Sequence, residues 1–431
     1  MSRVRSLLGG LLVAAVSLVG SVLAIEAGGR LAYCLLVEKR LSLQPREPAS
    51  LFVRDPRLLY RQRPGFDRIT GRSRQVRVRV NSLGLRGPER ELGRAPGVVR
   101  VLALGDSQTW GFDVEEDEAY PQALERLLDA ATGAGSPGFE VINAAVPGYS
   151  SYHGLVWLQE NLGRFRPDAV TVSFNFNDRL LAEEMTSDFS LIRATPERYA
   201  AAWRWNLLRR SFVLREGQAL MAKWRMRRLP PAAARYRERE RELVKEWQRL
   251  EPVVTPGERL DHLRGIAALC RTHGVPLILV ALPEHPWLAA PLDSATARLR
   301  ADDPQGATRA LAGYFALADS SLLWTYSDYD VLANAIALRA RPGAETSWPH
   351  RRAPANVVLA TAGEYNRITE TVATEASLPI VDATAALSAH PEVFFDECHF
   401  DGRGHAQVAE LLAPVVLEVT GAAGPASVRT R

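Results

Sequence analysis

Val101-Leu102-Ala103-Leu104-Gly105-Asp106-Ser107 is the stretch on which the fold turns. Four apolar residues in a row, without polar alternation, predict a short strand buried on both faces. Strands of that kind belong to parallel sheets covered by helices on either side. Gly105 then opens a turn, and Ser107 lies just beyond the strand's carboxyl end, where open α/β sheets place their ligands.

Outward from that strand, Tyr120 to Ala131 reads as a helix with Leu124, Leu127 and Leu128 on one face. Phe139 to Ile142 is the next strand, ending at Asn143. Leu155 to Leu162 is helical, and Ala169 to Phe174 is a third strand, ending at Asn175-Phe176-Asn177-Asp178. Strands alternating with helices predict a parallel sheet between helical layers. Residues 184–255 interrupt the rhythm with a helical composition in which Trp203, Trp205, Trp224 and Trp247 sit among arginines. The alternation resumes with a helix over Glu258 to Thr272 and a strand over Pro276 to Leu282. Residues 284–353 read as a second, irregular insertion. Asn356 to Ala360 and Pro379 to Val381 are expected as further strands flanking a helix from about Glu364 to Ala376. Val393 to Phe395 leads into Asp396-Glu397-Cys398-His399, and the last helix runs from about Gly404 to Val419.

The 431 residues, 47% hydrophobic and 24% charged, suffice for one large core. The net charge is +4. It is concentrated, because residues 201–250 hold 14 Lys/Arg against 5 Asp/Glu, which leaves the rest of the chain net acidic. No recognisable nucleic-acid-binding module accompanies these basic residues, so no nucleic-acid partner is expected. Three cysteines, Cys34, Cys270 and Cys398, make no disulfide framework.

Arg3 and Arg5 precede an uncharged apolar run from Leu7 to Ile25. At about 1.5 Å per residue this run spans roughly the ~30 Å of bilayer hydrocarbon. Positive charge before it predicts a cytoplasmic N-terminus, with the remainder outside the cytoplasm. The expectation is a single-pass anchor in the cytoplasmic (inner) membrane. The competing reading is a cleaved signal peptide, with Val22-Leu23-Ala24 as its cleavage site. The expected organisation is an anchor over 1–40, an Arg- and Pro-rich extension over 41–97, and a catalytic domain over 98–425 with insertions at about 184–255 and 284–353. Within the extension, Gln75 to Val80 alternates as a half-exposed strand does.

Acyl transfer needs a nucleophile, a base, an acid that orients the base, and donors for the oxyanion. Ser107 is placed to be the nucleophile. Asp396 and His399 are three apart, a spacing that puts both on one face of a helical turn, so the carboxylate can hold the imidazole. Neutral histidine is a usable base near neutrality. Oxyanion donors are available in the Ser107 and Gly148 backbone amides and in the Asn177 side chain.

These blocks resemble the SGNH/GDSL hydrolases. Gly105-Asp106-Ser107 is similar to that family's first block, Gly148 within Asn143-Ala144-Ala145-Val146-Pro147-Gly148-Tyr149 to its second, Asn177-Asp178 to its third, and Asp396-Glu397-Cys398-His399 to its Asp-x-x-His block. The resemblance spans residues 98–183, 256–283 and 354–420. It implies a flavodoxin-like three-layer α/β/α fold with a parallel sheet. It also implies ester hydrolysis or transfer without cofactor or metal, by a Ser107–His399–Asp396 triad with an oxyanion hole of Ser107, Gly148 and Asn177. The apolar N-terminal segment followed by Asn81-Ser82-Leu83-Gly84-Leu85-Arg86-Gly87 resembles membrane-tethered bacterial members. Two departures stand out. Gln108 replaces the usual apolar residue after the serine. Asn175 replaces a glycine two residues before Asn177, which makes Asn175 a second candidate donor.

Plainer readings compete at single positions. Ser107 alone is a common helix N-cap. Asp106 and Asp178 read as loop braces, and His405 as a packing or capping residue. Cys398 beside His399 lacks the further ligands of a zinc site. Gly133-x-Gly135-x-x-Gly138 follows a helix and precedes a strand, the wrong context for dinucleotide binding. The Gly-x-Ser-x-Gly elbow of α/β-hydrolases is absent. The expected activity is therefore that of an extracytoplasmic esterase or O-acyltransferase on acyl, most plausibly acetyl, esters of a glycan or lipid-linked substrate. The basic 201–250 stretch is a candidate membrane-surface contact. The alternatives are a lysophospholipase or thioesterase, and a non-catalytic envelope assembly protein.

Overall fold

The computed structural model describes residues 2–36, 50–132, 138–182, 192–208, 221, 242–318, 329–342 and 357–422. The chain forms two compact units, one of Met1–Ser50 with Ala200–Pro231, the other of Leu51–Tyr199 with Ala232–Arg431. In the first, α1 (Ser2–Leu36) contains an 18-residue window, Leu12–Gly29, long and apolar enough to cross a membrane. A signal sequence has the same length and composition. Most of the basic 201–250 stretch, Trp224 included, and most of the Gly133–Gly138 loop lie outside the described residues.

The second unit opens with two antiparallel hairpins, β1 (Phe52–Asp55) with β2 (Leu59–Gln62) and β3 (Asp67–Thr70) with β4 (Val76–Arg79). The alternation expected over Gln75–Val80 is real: Val76 and Val78 point inward while Arg77 and Arg79 face solvent. Val76, Val78, Val80 and Phe66 pack against Trp110 and Ala145, so the extension shares a core with the loops around Ser107.

Five parallel strands form the central sheet: β5 (Val98–Gly105), β6 (Gly138–Asn143), β7 (Ala169–Ser173), β8 (Leu277–Ala281) and β9 (Ile380–Asp382). Their order is β6-β5-β7-β8-β9, the flavodoxin-like arrangement, with Val101 paired to both Val141 and Ala169. The helices are α2 (Ser107–Trp110), α3 (Tyr120–Thr132), α4 (Ser151–Phe165), α5 (Pro196–Leu208), α6 (Pro256–Thr272), α7 (Pro286–Arg300), α8 (Pro304–Ala318), α9 (Asp330–Ala340), α10 (Ala362–Ala376), α11 (Thr384–Ser388) and α12 (Gly402–Thr420). α3 and α12 cover one face. Val408, Leu412 and Val416, at helical spacing, meet Val101, Ala103 and Val141 there. α4, α6 and α10 pack side by side over the other face. Burial of each such aliphatic side chain contributes about 1.5–3 kcal/mol.

Two expectations are corrected. Residues 284–353 are not irregular where they are described, because α7, α8 and α9 pack on one another there. Pro291 sits inside α7 and Pro304 begins α8, and these prolines masked the helical period. Of the strand expected over Asn356 to Ala360, the described residues 357–360 do not extend the sheet. Val358 makes a single antiparallel bridge to Leu180, in the loop beyond β7.

Candidate active site

Gly105 lets β5 turn into α2, because a Cβ there would lie 2.0 Å from the Thr109 hydroxyl and 2.8 Å from Ser173 O. Asp106 caps α2 by accepting the Gln108 N–H at 3.0 Å. Ser107 is thus the first residue of one helical turn, half-buried beyond the strand end. Gly111, at φ +88°, ends that turn. Arg86 of the extension, 1% exposed, donates to the carbonyls of Trp110 (2.8 Å), Gly111 and Val114, and its guanidinium lies 4.1 Å from the Trp110 ring centre. Burial lowers the Arg86 pKa to about 10, so the group is still charged at neutral pH.

His399 Nε2 is 2.7 Å from Ser107 Oγ, and His399 Nδ1 is 2.7 Å from Asp396 Oδ2. With Nδ1–H donated to the carboxylate, Nε2 is left to accept the serine proton. The reason for this contact differs from the one read in the sequence. The segment is no helical turn but a bend after the 3-10 turn Pro391–Val393. Asp396 Oδ1 accepts the N–H groups of Cys398 (3.0 Å) and His399 (2.7 Å), and this local turn brings the two side chains together. The imidazole lies between Phe112 and Phe395, with ring centres 4.7 and 5.9 Å away. Burial on its own would lower the His399 pKa, but the Asp396 charge and hydrogen bond outweigh it, and the net shift is upward. Burial opposes ionisation of Asp396 as well; the His399 charge and the hydrogen bonds prevail and hold that carboxyl below its usual range.

Asn177 sits in the 3-10 turn after β7 and donates its side-chain amide to Tyr149 O (3.0 Å) and, at a longer 3.3 Å, to Asp106 Oδ2. It thereby joins the loops that follow β5, β6 and β7. Gly148 adopts φ +82° in the turn Val146–Tyr149, closed by Tyr149 N–H to Val146 O at 3.1 Å. Asn175, the second candidate donor, is engaged elsewhere. Its amide donates to Ala362 O (3.2 Å) and Asn366 Oδ1 (2.5 Å), and its oxygen accepts from Arg179 Nε (2.7 Å). The loop-brace reading of Asp178 matches its contacts, which are the Ser151 N–H at 2.8 Å and Arg259 Nη1 at 2.6 Å. His405 Nδ1 accepts the Tyr120 N–H at 3.2 Å.

The sequence did not reveal Gln108, Arg259 or Arg86 as parts of this framework. Gln108 Nε2 donates to Pro283 O (2.9 Å) and Cys398 O (2.8 Å). Arg259, 1% exposed, reaches Asp178, Phe174 O (2.6 Å) and Thr369 Oγ1 (2.8 Å). A signal existed for Arg259, because it precedes Leu263, Ile266 and Cys270 on the buried stripe of α6.

Among the described residues, Asp396, Cys398 and His399 are the one trio whose donor atoms lie close enough to suggest a metal site. The donor set fits poorly. Asp396 occupies His399 Nδ1, and burial pushes the Cys398 thiol well above its ordinary range, so no thiolate is on offer.

The model of the GDSL-like lipase/acylhydrolase family matches residues 103–318. No curated protein matches the chain. Solved structures similar to it include a mutant of Axe2, an acetyl-xylooligosaccharide esterase from Geobacillus, at 15% identity and TM-score 0.35, covering 77% of this chain and 97% of that one. A GDSL-like lipase from Bacteroides thetaiotaomicron shows 10% identity, TM-score 0.34 and coverage of 74% and 88%. The lipase/acylhydrolase from Enterococcus faecalis shows 14% identity, TM-score 0.34 and coverage of 75% and 96%.

Proposed function

Because the chain belongs to the GDSL-like lipase/acylhydrolase family, and is thereby an ester-cleaving serine hydrolase, we propose that Ser107, His399 and Asp396 are its catalytic triad. The observation that carries this reading is the hydrogen-bonded line Asp396 Oδ2–His399 Nδ1 and His399 Nε2–Ser107 Oγ, 2.7 Å at each link. Ser107 Oγ attacks the acyl carbon while His399 Nε2 takes its proton. The oxyanion is held by the N–H groups of Ser107 and Gly148 and by the Asn177 amide, which gives up its longer bond to Asp106 Oδ2 to do so. As the C–O bond breaks, imidazolium returns the proton to the leaving alkoxide. A water or a sugar hydroxyl then attacks the acyl-enzyme with His399 again as base, and Ser107 is released. Asp396 stays ionised throughout and stabilises the imidazolium.

The substrate reading is an acyl ester, most simply acetyl, on a glycan or lipid-linked glycan outside the cytoplasm. Its supports are the apolar length of α1 and the Arg3/Arg5 charge before it. On this reading the protein is a single-pass protein of the cytoplasmic membrane, with a hydrolase domain over 98–425 interrupted at about 184–255 and 284–353. The test uses the full chain in detergent, with fluorophosphonate labelling and aryl acetate hydrolysis compared between wild type and Ser107→Ala. Loss of both in the variant is expected. Labelling that survives in Ser107→Ala sinks the assignment.

A further inference from the structure

The extension that precedes the sheet reaches the oxyanion loop through one hydroxyl. Tyr60 lies in β2, 7% exposed, and its Oη donates to Pro147 O at 2.9 Å. That carbonyl belongs to the same peptide unit as the Gly148 N–H. Tyr149 Oη donates back to Tyr60 O at 2.8 Å, and the two rings are 5.5 Å apart. In the same strand, Gln62 Nε2 donates to Ala145 O at 3.1 Å. The fit is close, since a Cβ on Gly148 would lie 2.4 Å from Tyr60 Oη.

Val146–Tyr149 has the signature of a type II turn, with proline second, glycine third and φ +82° at Gly148. In such a turn the central peptide, here Pro147–Gly148, can rotate to the type I arrangement with little change at the ends. A rotated peptide points its N–H the opposite way. Glycine tolerates both states, so the turn alone does not select one. The Tyr60 hydroxyl does, because it binds the carbonyl in only one of them. The peptide is planar, so holding C=O also holds N–H. A hydrogen bond accepted by the carbonyl further polarises the amide and makes its N–H a stronger donor. Burial, and secondarily the Asp106 charge, raise the Tyr60 pKa, so the hydroxyl keeps the proton it donates. Among the described residues, no hydrogen bond occupies the Gly148 N–H.

We infer that Tyr60 is a positioning residue of the oxyanion site, locking the Pro147–Gly148 peptide in the orientation that presents the Gly148 N–H to the developing charge. The inference rests on Gly148 being an oxyanion donor of the Ser107 mechanism. Its test compares full-length wild type, Ser107→Ala, Tyr60→Phe and Tyr199→Phe. Tyr199 is a control that removes another buried hydroxyl, 3.1 Å from His153 Nε2, with no bond to the turn. Loss of one oxyanion donor costs about 10²–10³ in kcat. Tyr60→Phe, which lets the donor turn away part of the time, is expected to lower kcat for an aryl acetate roughly 10- to 100-fold with KM within about 2-fold. The rate of fluorophosphonate labelling should fall in step. Tyr199→Phe should lose thermal stability and keep its kcat. A Tyr60→Phe enzyme with kcat within about 2-fold of wild type overturns the inference, as does one whose kcat and KM both follow its melting temperature. If Tyr60→Phe does not fold, 3,5-difluorotyrosine at position 60 keeps the ring and strengthens the donor. A rise in kcat then supports the lock, and an unchanged kcat overturns it. Turnover that persists in Ser107→Ala removes the underlying mechanism instead, a distinct outcome.

Discussion

The side chain of Gln108 donates to Cys398 O, 2.8 Å away and 290 residues along the chain. Its other hydrogen goes to Pro283 O at 2.9 Å, just past β8. The residue that follows Ser107 therefore fastens the loop that carries His399. An apolar residue here would leave two buried carbonyls without a donor, at about 1–3 kcal/mol each. Gln108→Leu is expected to lower the melting temperature and to reduce kcat by more than tenfold, because a 1 Å misplacement can cost about 10²-fold. Differential scanning calorimetry with steady-state kinetics checks both. A Gln108→Leu enzyme with normal kcat contradicts the fastening role.

The pH dependence of activity follows from the Asp396–His399 pair. On the proposed mechanism only neutral imidazole accepts the Ser107 proton, and the folded pKa of His399 lies above its ordinary 6.5. The ratio kcat/KM should therefore rise with pH through a midpoint above 6.5 and then level off. Asp396→Asn removes the charge that raises the pKa and leaves the burial that lowers it. Its midpoint should move to lower pH while kcat falls by about 10³–10⁴. A pH–rate profile of both enzymes decides this; an unmoved midpoint shows that Asp396 does not set the basicity of His399.

Beneath the Asn177 turn, Arg259 and Asp178 form a fully buried ion pair, 2.6 Å apart. Removing one partner strands a buried charge, at a cost of about 3–5 kcal/mol. Asp178→Asn should lose that much in chemical denaturation, and the double variant Asp178→Asn/Arg259→Met should recover part of it. A double variant no more stable than the single one argues that the pair is not the source of the loss.

Acid should weaken the fold through two buried histidines outside the proposed triad. His153 Nδ1 accepts the Ser150 N–H at 3.0 Å and His405 Nδ1 accepts the Tyr120 N–H at 3.2 Å, roles that need neutral rings. Burial lowers the pKa of each to about 3. A depressed folded pKa means stability that is complete above 6.5 and is lost as pH falls toward 3. Asp106 acts the other way, since burial raises its pKa to about 6 and it is relieved by protonation. Near pH 5 the two histidines bind protons only in the unfolded chain and Asp106 binds one only in the folded chain, so on balance stability declines as pH falls. Urea denaturation at pH 7.5 and pH 5 measures the slope, and equal stability at the two values excludes this account.

The sheet was legible in the sequence wherever strands are buried on both faces. Val101–Leu104 and Pro276–Leu282 are uninterrupted apolar runs, Ala169–Phe174 is broken only by Thr171 and Ser173, and the Gly105, Pro283 and Asn175 that follow them mark loops at the carboxyl edge. Ser107 and Asn177 follow two of these runs, and the resemblance to the SGNH/GDSL hydrolases picked out the blocks bearing Gly148, Asp396 and His399. What holds those blocks in place was not legible. The partners of Gln108, Arg86, Tyr60 and Arg259 are mostly backbone carbonyls distant in sequence, and a carbonyl has no residue identity to read. Asp396 and His399 were paired from a helical spacing, whereas an aspartate turn pairs them, because several backbone paths satisfy one short interval. α7 and α8 were missed because Pro291 and Pro304 imitate loop composition.

Arg86 belongs to the extension, yet it donates to three carbonyls at and just beyond the end of the helix that begins at Ser107. A fragment trimmed to begin at the first strand of the parallel sheet would lose those three hydrogen bonds, with Trp110 stripped of its cover. A piece of this chain that keeps this cover therefore has to include the extension. In evolutionary terms, residues 51–97 and the strand-to-helix turn that carries Ser107 form one unit, inherited, shuffled or lost together.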